Sequence, residues 1–149
     1  VSIAPSKIVH HQQSRRLEVG FADGTHFDLP CEYLRVFSPS AEVRGHGPAP
    51  RAGEPYEPLL VGGKRAVNIA AIEPVGRYAV RLRFDDGHDT GLYTWDGLRE
   101  LGANQNSWWP RYLERLAEHG MSRDSDITKL SALGIKTFKP ATGKARVKE

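Results

Sequence analysis

LEVGFADGTHFDLPCEYLR (Leu17–Arg35) and VRLRFDDGHDTGLYTWDGLR (Val80–Arg99) are one unit written twice. In the first, Leu17, Val19 and Phe21 alternate with Glu18 and Gly20; in the second, Val80, Leu82 and Phe84 alternate with Arg81 and Arg83. That is the period of a strand with one buried face. Each strand runs into Phe-x-Asp-Gly, and Asp23-Gly24 and Asp86-Gly87 supply the positive φ that a tight hairpin turn requires. A second short strand follows in both copies, then a helical segment ending Leu-Arg. A two-stranded hairpin is marginal alone, so a helix over its apolar face is needed to complete a core. The fold expected is therefore α+β: a small, mainly antiparallel sheet from two hairpin-plus-helix units and an added strand, with the helices on one face.

The flanking segments extend this plan. The first helix is expected over about Pro30 to Phe37, with proline in its first turn, where a missing N–H costs nothing. Thr94 should cap a second helix carrying Trp95, Leu98 and Leu101, with Gly102 ending it. In NSWWPRYLERLAEHG, the stripe Trp109, Tyr112, Leu113, Leu116 predicts a third helix, capped by Asn106 or Ser107 and stopped by Gly120. Aligning Trp109 with that stripe turns Trp108 about a hundred degrees away, to the surface, where it is a candidate protein contact. A strand over Val67 to Ile72 and a turn at Glu73 to Gly76 precede the second unit. Between the units, residues 45–64 hold five glycines and four prolines, a composition unsuited to helix or central strand.

With 149 residues, 39% hydrophobic and 26% charged, the chain suits one core rather than two. No apolar run approaches a membrane span, and VSIAPSKIVHH lacks the apolar core of a secretory signal, so a cytoplasmic location without membrane contact is expected. The division adopted is a domain over residues 1–119 and a basic, flexible tail over 120–149. Of the net charge of +3, the tail contributes seven Lys or Arg against three acids, leaving fourteen against fifteen before it. Because a nucleic-acid footprint requires cationic clustering on the folded part, nucleic acid is not the expected partner, although the tail keeps it as a third reading. The single cysteine, Cys31, excludes an internal disulfide and is read as a small buried apolar residue.

The motifs FxDG, LRVFSPSAEVRGHGP (Leu34–Pro48), IEPVGRYAVRLRFDDGHDTGLYTW and LREL, in that order, resemble the gamma-butyrobetaine hydroxylase-like N-terminal domain family over roughly Lys7 to Leu116. The family has small stand-alone bacterial members, and related domains sit at the front of gamma-butyrobetaine and trimethyllysine hydroxylases and at the back of some P-loop iron–sulfur cluster carriers. The resemblance implies no hydroxylase activity here, since that chemistry belongs to a separate oxygenase domain with its own iron and 2-oxoglutarate ligands. It implies a binding or adaptor domain with a protein partner, with iron–sulfur protein maturation as the leading process.

In the hydroxylases, three cysteines after the first helix and one histidine in the second hairpin hold a structural zinc. The resemblance lays those positions on Ser38, Ser40, Val43 and His88. Serine hydroxyls are poor zinc ligands at neutral pH and valine is none, so no zinc is expected. Hydrogen bonds among Arg35, Ser38, Ser40, Glu42, His46 and His88 are expected to staple the loop instead. The resemblance places His88 against this loop, and parity supports it, because a residue four before Leu92 in a strand shares its face.

The competing reading is a metal-dependent accessory protein or enzyme using His88 with Asp85 or Asp89. No catalytic motif supports it; Asp86 is accounted for by the turn, and Val61–Arg65 lacks the Ser/Thr of a phosphate loop. A metal cluster from His10, His11 and His26 is discounted, because adjacent strand residues point to opposite faces.

Overall fold

The computed structural model describes residues 3–39 and 58–124. The first unit consists of β1 (Pro5–His11), β2 (Arg16–Phe21), β3 (His26–Pro30) and α1 (Cys31–Val36). The second repeats it as β4 (Ile69–Val75), β5 (Ala79–Phe84), β6 (Gly91–Thr94) and α2 (Trp95–Glu118). The α+β class is as expected, and the strands divide between two antiparallel sheets of three, ordered β1-β2-β3 and β4-β5-β6. The repeat is thus fuller than a hairpin plus helix. Each unit has a preceding edge strand, with Ile8 opposite Val19 in one and Ile72 opposite Leu82 in the other.

Both Asp-Gly turns form, with φ 90° at Gly24 and 92° at Gly87. The alternation holds as well: Leu17, Val19, Phe21, Val80, Leu82 and Phe84 are buried in one core that spans both units. The units are tied reciprocally. The Tyr33 hydroxyl on α1 donates to the Leu101 carbonyl on α2 at 2.6 Å, and the Tyr93 hydroxyl on β6 donates to the Leu34 carbonyl on α1 at 2.6 Å. A buried hydroxyl without such a partner would cost about 1–3 kcal/mol, so this exchange fixes how the units face each other.

Several expectations need correction. Gly102 does not end a helix, and Asn106 and Ser107 do not start one; all three lie inside α2, which runs unbroken from its Thr94 cap to Glu118. The Thr94 hydroxyl accepts from the Gly97 N–H at 3.0 Å, as foreseen. Gly102 serves close approach instead, since a Cβ there would overlap the Phe27 ring. Pro110 sits within α2, and the carbonyl that its absent N–H would have served belongs to the exposed Asn106.

With the helix continuous, its buried stripe is Leu98, Leu101, Trp108, Tyr112 and Leu116. Trp108 is therefore core rather than surface: it is 7% exposed and stacks on Phe37 at 5.7 Å. Leu113, placed in the stripe by the sequence, is 36% exposed. Pro74 lies in the edge strand β4, not in a turn; the chain reverses over residues 76–78. An edge strand tolerates proline because its outer N–H groups need no ladder partner.

Past Gly120, the described chain folds back. The Arg123 guanidinium makes two hydrogen bonds, 2.9 and 2.7 Å, to the buried carboxylate of Glu32 on α1. Backbone bonds from Gly63 N to Ser122 O (2.8 Å) and Arg65 N to Arg123 O (2.9 Å) hold it alongside the residues that precede β4. None of the helices in the described residues is long and apolar enough to cross a membrane.

Candidate functional site

The reciprocal repeat makes two junctions where the helix of one unit meets the hairpin turn of the other. At the first, Arg99 on α2 reaches Asp23 Oδ2 and Thr25 Oγ1, each at 3.2 Å, and lies 4.1 Å over the Phe21 ring. Phe27 packs on Gly102 beside it. At the second, Arg35 on α1 donates to Asp86 Oδ2 at 2.8 Å. Arg35 and Arg99 occupy the same place in the repeat, as do Asp23 and Asp86.

The second junction is more polar and more buried. Lys64 donates to Asp86 Oδ2 at 2.6 Å, and Asp86 Oδ1 accepts the His88 backbone N–H at 3.0 Å. Burial alone would raise the Asp86 pKa, but the bonds from Lys64, the His88 N–H and Arg35 outweigh it and hold the group at about 2. Asp86 is therefore an ionised anchor and not a proton donor near neutrality.

His88 follows, 8% exposed, with Nε2 hydrogen-bonded to Ser38 Oγ at 3.0 Å; Ser38 is fully buried. The room for this pair comes from Gly91, the counterpart of Phe27: a Cβ there would stand 2.7 Å from Ser38 Oγ. Among the described residues, Arg35 Nη1 is buried without a hydrogen-bond partner.

The structure thus brings together Arg35, Ser38 and His88 of the expected staple. Ser40, Glu42 and His46 lie outside the described residues. The parity argument offered in support of His88 is corrected. His88 belongs to the turn before β6, and Leu92 is 36% exposed while Gly91 and Tyr93 point inward, so strand parity does not carry the contact.

Asp85 accepts the Asn68 backbone N–H at 3.1 Å, and Asp89 lies 3.8 Å from Arg83. Asp86 and Lys64 were missed. The turn alone accounts for Asp86 in the sequence, although the paired occurrence of Asp23 with Arg35 and Asp86 with Arg99 in the repeat is a signal for the contact.

Of the four positions at which the resembled hydroxylase domains hold zinc, two meet here as hydroxyl and imidazole. The others carry the hydroxyl of Ser40 and the alkyl group of Val43. One imidazole and no thiolate do not make the donor set of a structural zinc site, so these residues do not fit that ion.

Elsewhere, Asn68 Oδ1 accepts from the Cys31 thiol at 3.5 Å and bonds His10 Nε2 at 2.9 Å. This Cys–Asn–His group has the residue types of a thiol active site, but its thiol is wholly buried and burial pushes its pKa up to about 11. It stays protonated near neutral pH, and the thiolate is the nucleophile. Asn68 acts here as a tie: its Nδ2 also donates to the Gln12 carbonyl at 3.0 Å, joining the end of β1 to the start of β4.

A model of the family described as gamma-butyrobetaine hydroxylase-like, N-terminal, matches residues 8–99. Two proteins solved by NMR in solution are similar to this chain. One is 45% identical, covers 85% of this chain and 94% of its own, and gives a TM-score of 0.70. The other is 48% identical, covers 83% and 87%, and gives 0.69. A crystal structure of a protein of unknown function in the DUF971 family, from Acidithiobacillus ferrooxidans, is 39% identical over 67% of this chain and 93% of its own, with a TM-score of 0.53. No curated protein matches.

Proposed function

Because the chain belongs to the gamma-butyrobetaine hydroxylase-like N-terminal family, whose DUF971 relative is itself of unknown function, we propose from the second junction that it is a non-catalytic adaptor domain that binds a protein partner. The observation that carries this reading is the buried Ser38–His88 hydrogen bond at 3.0 Å. It secures the end of α1 to the second hairpin at the point where the chain enters residues 40–57. Those residues hold the remaining polar candidates, Ser40, Glu42 and His46.

The state of the ionisable groups supports a binding role. Asp86 is neutralised in place by Arg35 and Lys64, and Cys31 is kept as a thiol. These groups hold the fold together; catalysis instead calls for acids and bases poised near the working pH. The process proposed is iron–sulfur protein assembly in the cytoplasm, by likeness to the carriers that bear related domains.

The test is affinity capture from native cytoplasm with the intact chain and with a Ser38→Ala/Ser40→Ala/His88→Ala variant whose folding is checked by its melting curve. One defined protein should be retained by the intact chain and lost, about tenfold or more, by the folded variant. Equal capture by both would refute the assignment of the loop.

A further inference from the structure

The outer face of the first sheet carries a second side-chain cluster, far less apolar than an exposed strand surface needs to be. β2 places Glu18 at its centre. On β3, His26 and Asp28 are two residues apart and therefore on one face, and Asp28 stands directly opposite Glu18 in the ladder. From β1, on the other side, Lys7 and His11 reach in diagonally. His26 Nε2 lies 2.8 Å from Glu18 Oε2, His11 Nε2 lies 2.8 Å from Glu18 Oε1, and Lys7 Nζ is 3.0 Å from Oε2. Arg16 pairs with Asp28.

One ligand atom each from Glu18, His26 and Asp28 falls within 4.8 Å of the others. The parity that discounted a His10–His11–His26 cluster holds, since His10 turns to Asn68 and His11 to the other face; what the sequence does not show is that His11 and His26 converge on the Glu18 carboxylate.

We propose that Glu18, His26 and Asp28 form a surface site for a borderline divalent ion such as Zn²⁺ or Co²⁺, with His11 as the residue that orients Glu18. Two carboxylates face each other across the paired strands, and Lys7, His11, His26 and Arg16 now balance them; a divalent ion takes over that balancing role when it displaces Lys7 and Arg16. Ligand bonds of about 2.0–2.2 Å at roughly octahedral to tetrahedral angles put neighbouring ligand atoms about 3.0–3.4 Å apart; the His26–Glu18 separation of 2.8 Å needs slight opening, and the exposed Asp28 side chain, within 4.8 Å, closes in by rotation.

Imidazole with carboxylates suits first-row divalent ions, and the solvent side leaves coordination positions for water. To bind, His26 carries its proton on Nδ1 and presents the Nε2 lone pair. The Lys7 ammonium and Arg16 guanidinium, now the cations of the cluster, swing into water; the Lys7 side chain is 54% exposed and Asp28, the partner of Arg16, is 50% exposed, so solvent screens both contacts. His11, on the other carboxylate oxygen, stays as the hydrogen-bonded orienting group that such ligands commonly have.

The experiment is calorimetric titration of the metal-stripped full chain with Zn²⁺, alongside Co²⁺ absorption and Zn²⁺-induced amide shifts by NMR. One ion per chain is expected, with shifts confined to β1–β3. His26→Asn and Asp28→Asn should each weaken binding tenfold or more. His11→Asn should weaken it less while keeping the stoichiometry, and Lys7→Gln should tighten it several-fold by removing a competing cation. His119→Asn and Ser38→Ala/His88→Ala should leave it unchanged, which separates this site from the adaptor reading. Absence of stoichiometric binding, indifference to His26→Asn and Asp28→Asn, or loss by a Ser38→Ala/His88→Ala variant whose melting curve shows it folded would overturn the proposal.

Discussion

The two junctions start from the same parts and end with different materials. Each has an arginine from one unit's helix on an aspartate in the other unit's Asp-Gly turn, Arg99 with Asp23 and Arg35 with Asp86. At the first, a phenylalanine fills the space against a glycine; at the second, the phenylalanine's counterpart is Gly91, and Ser38 and His88 occupy the room. Packing closes one junction and hydrogen bonds close the other. With an exposed ion pair and an apolar plug, the first junction depends less on pH and ions than the buried polar one, and only the polar one leads into residues 40–57. The difference locates the proposed binding role in the half of the repeat that gave up its aromatic plug.

Substitution at the packed junction should have the largest effect. Gly102→Val puts a branched side chain into the Phe27 ring from within α2, and overpacking of this kind should cost about 3 kcal/mol in chemical denaturation. Adding Phe27→Ala should recover part of that loss, because the two residues share one contact. If Gly102→Val is neutral, the first junction is not sealed by packing.

Next comes the aspartate pair. Asp86 falls from an ordinary 3.8 to about 2 in the folded chain, a stabilisation of about 2 kcal/mol for a largely buried group. A depressed folded pKa gives stability that is complete above the unfolded value and is lost as pH falls toward the folded one. Asp86→Asn should therefore be less stable than the parent by about 2 kcal/mol near pH 6, with the gap closing between about pH 4 and pH 2 in acid melts. Asp23, whose pKa is also lowered, chiefly by the Thr25 backbone N–H, is exposed. Asp23→Asn should shift the melting temperature less than Asp86→Asn. The reverse order would contradict the contrast between the junctions.

Much of the fold was legible because its signals are local. Alternation and Asp-Gly mark both hairpins, and Thr94 marks the start of α2. What failed depended on contacts between units. Gly102 reads as a stop until Phe27 is known to lie against it. Breaking the helix there severed Leu101 from Trp108, two turns on, so the stripe was anchored on Trp109 and Trp108 was sent to the surface. Pro74 reads as a turn until β4 is known to be an edge. The Ser38–His88 contact was legible only through the family resemblance, since no strand parity carries it. The Glu18 cluster was missed because its members come from three strands whose register no single segment specifies.

At the second junction a serine–histidine hydrogen bond stands where the hydroxylase domains it resembles hold zinc. A double-mutant cycle of Ser38→Ala and His88→Asn, measured by denaturation in chelator and again with Zn²⁺, tests it most directly. The coupling expected is about 1 kcal/mol, equal in both conditions. Additive losses, or a zinc-dependent stabilisation that vanishes with His88→Asn, would contradict it.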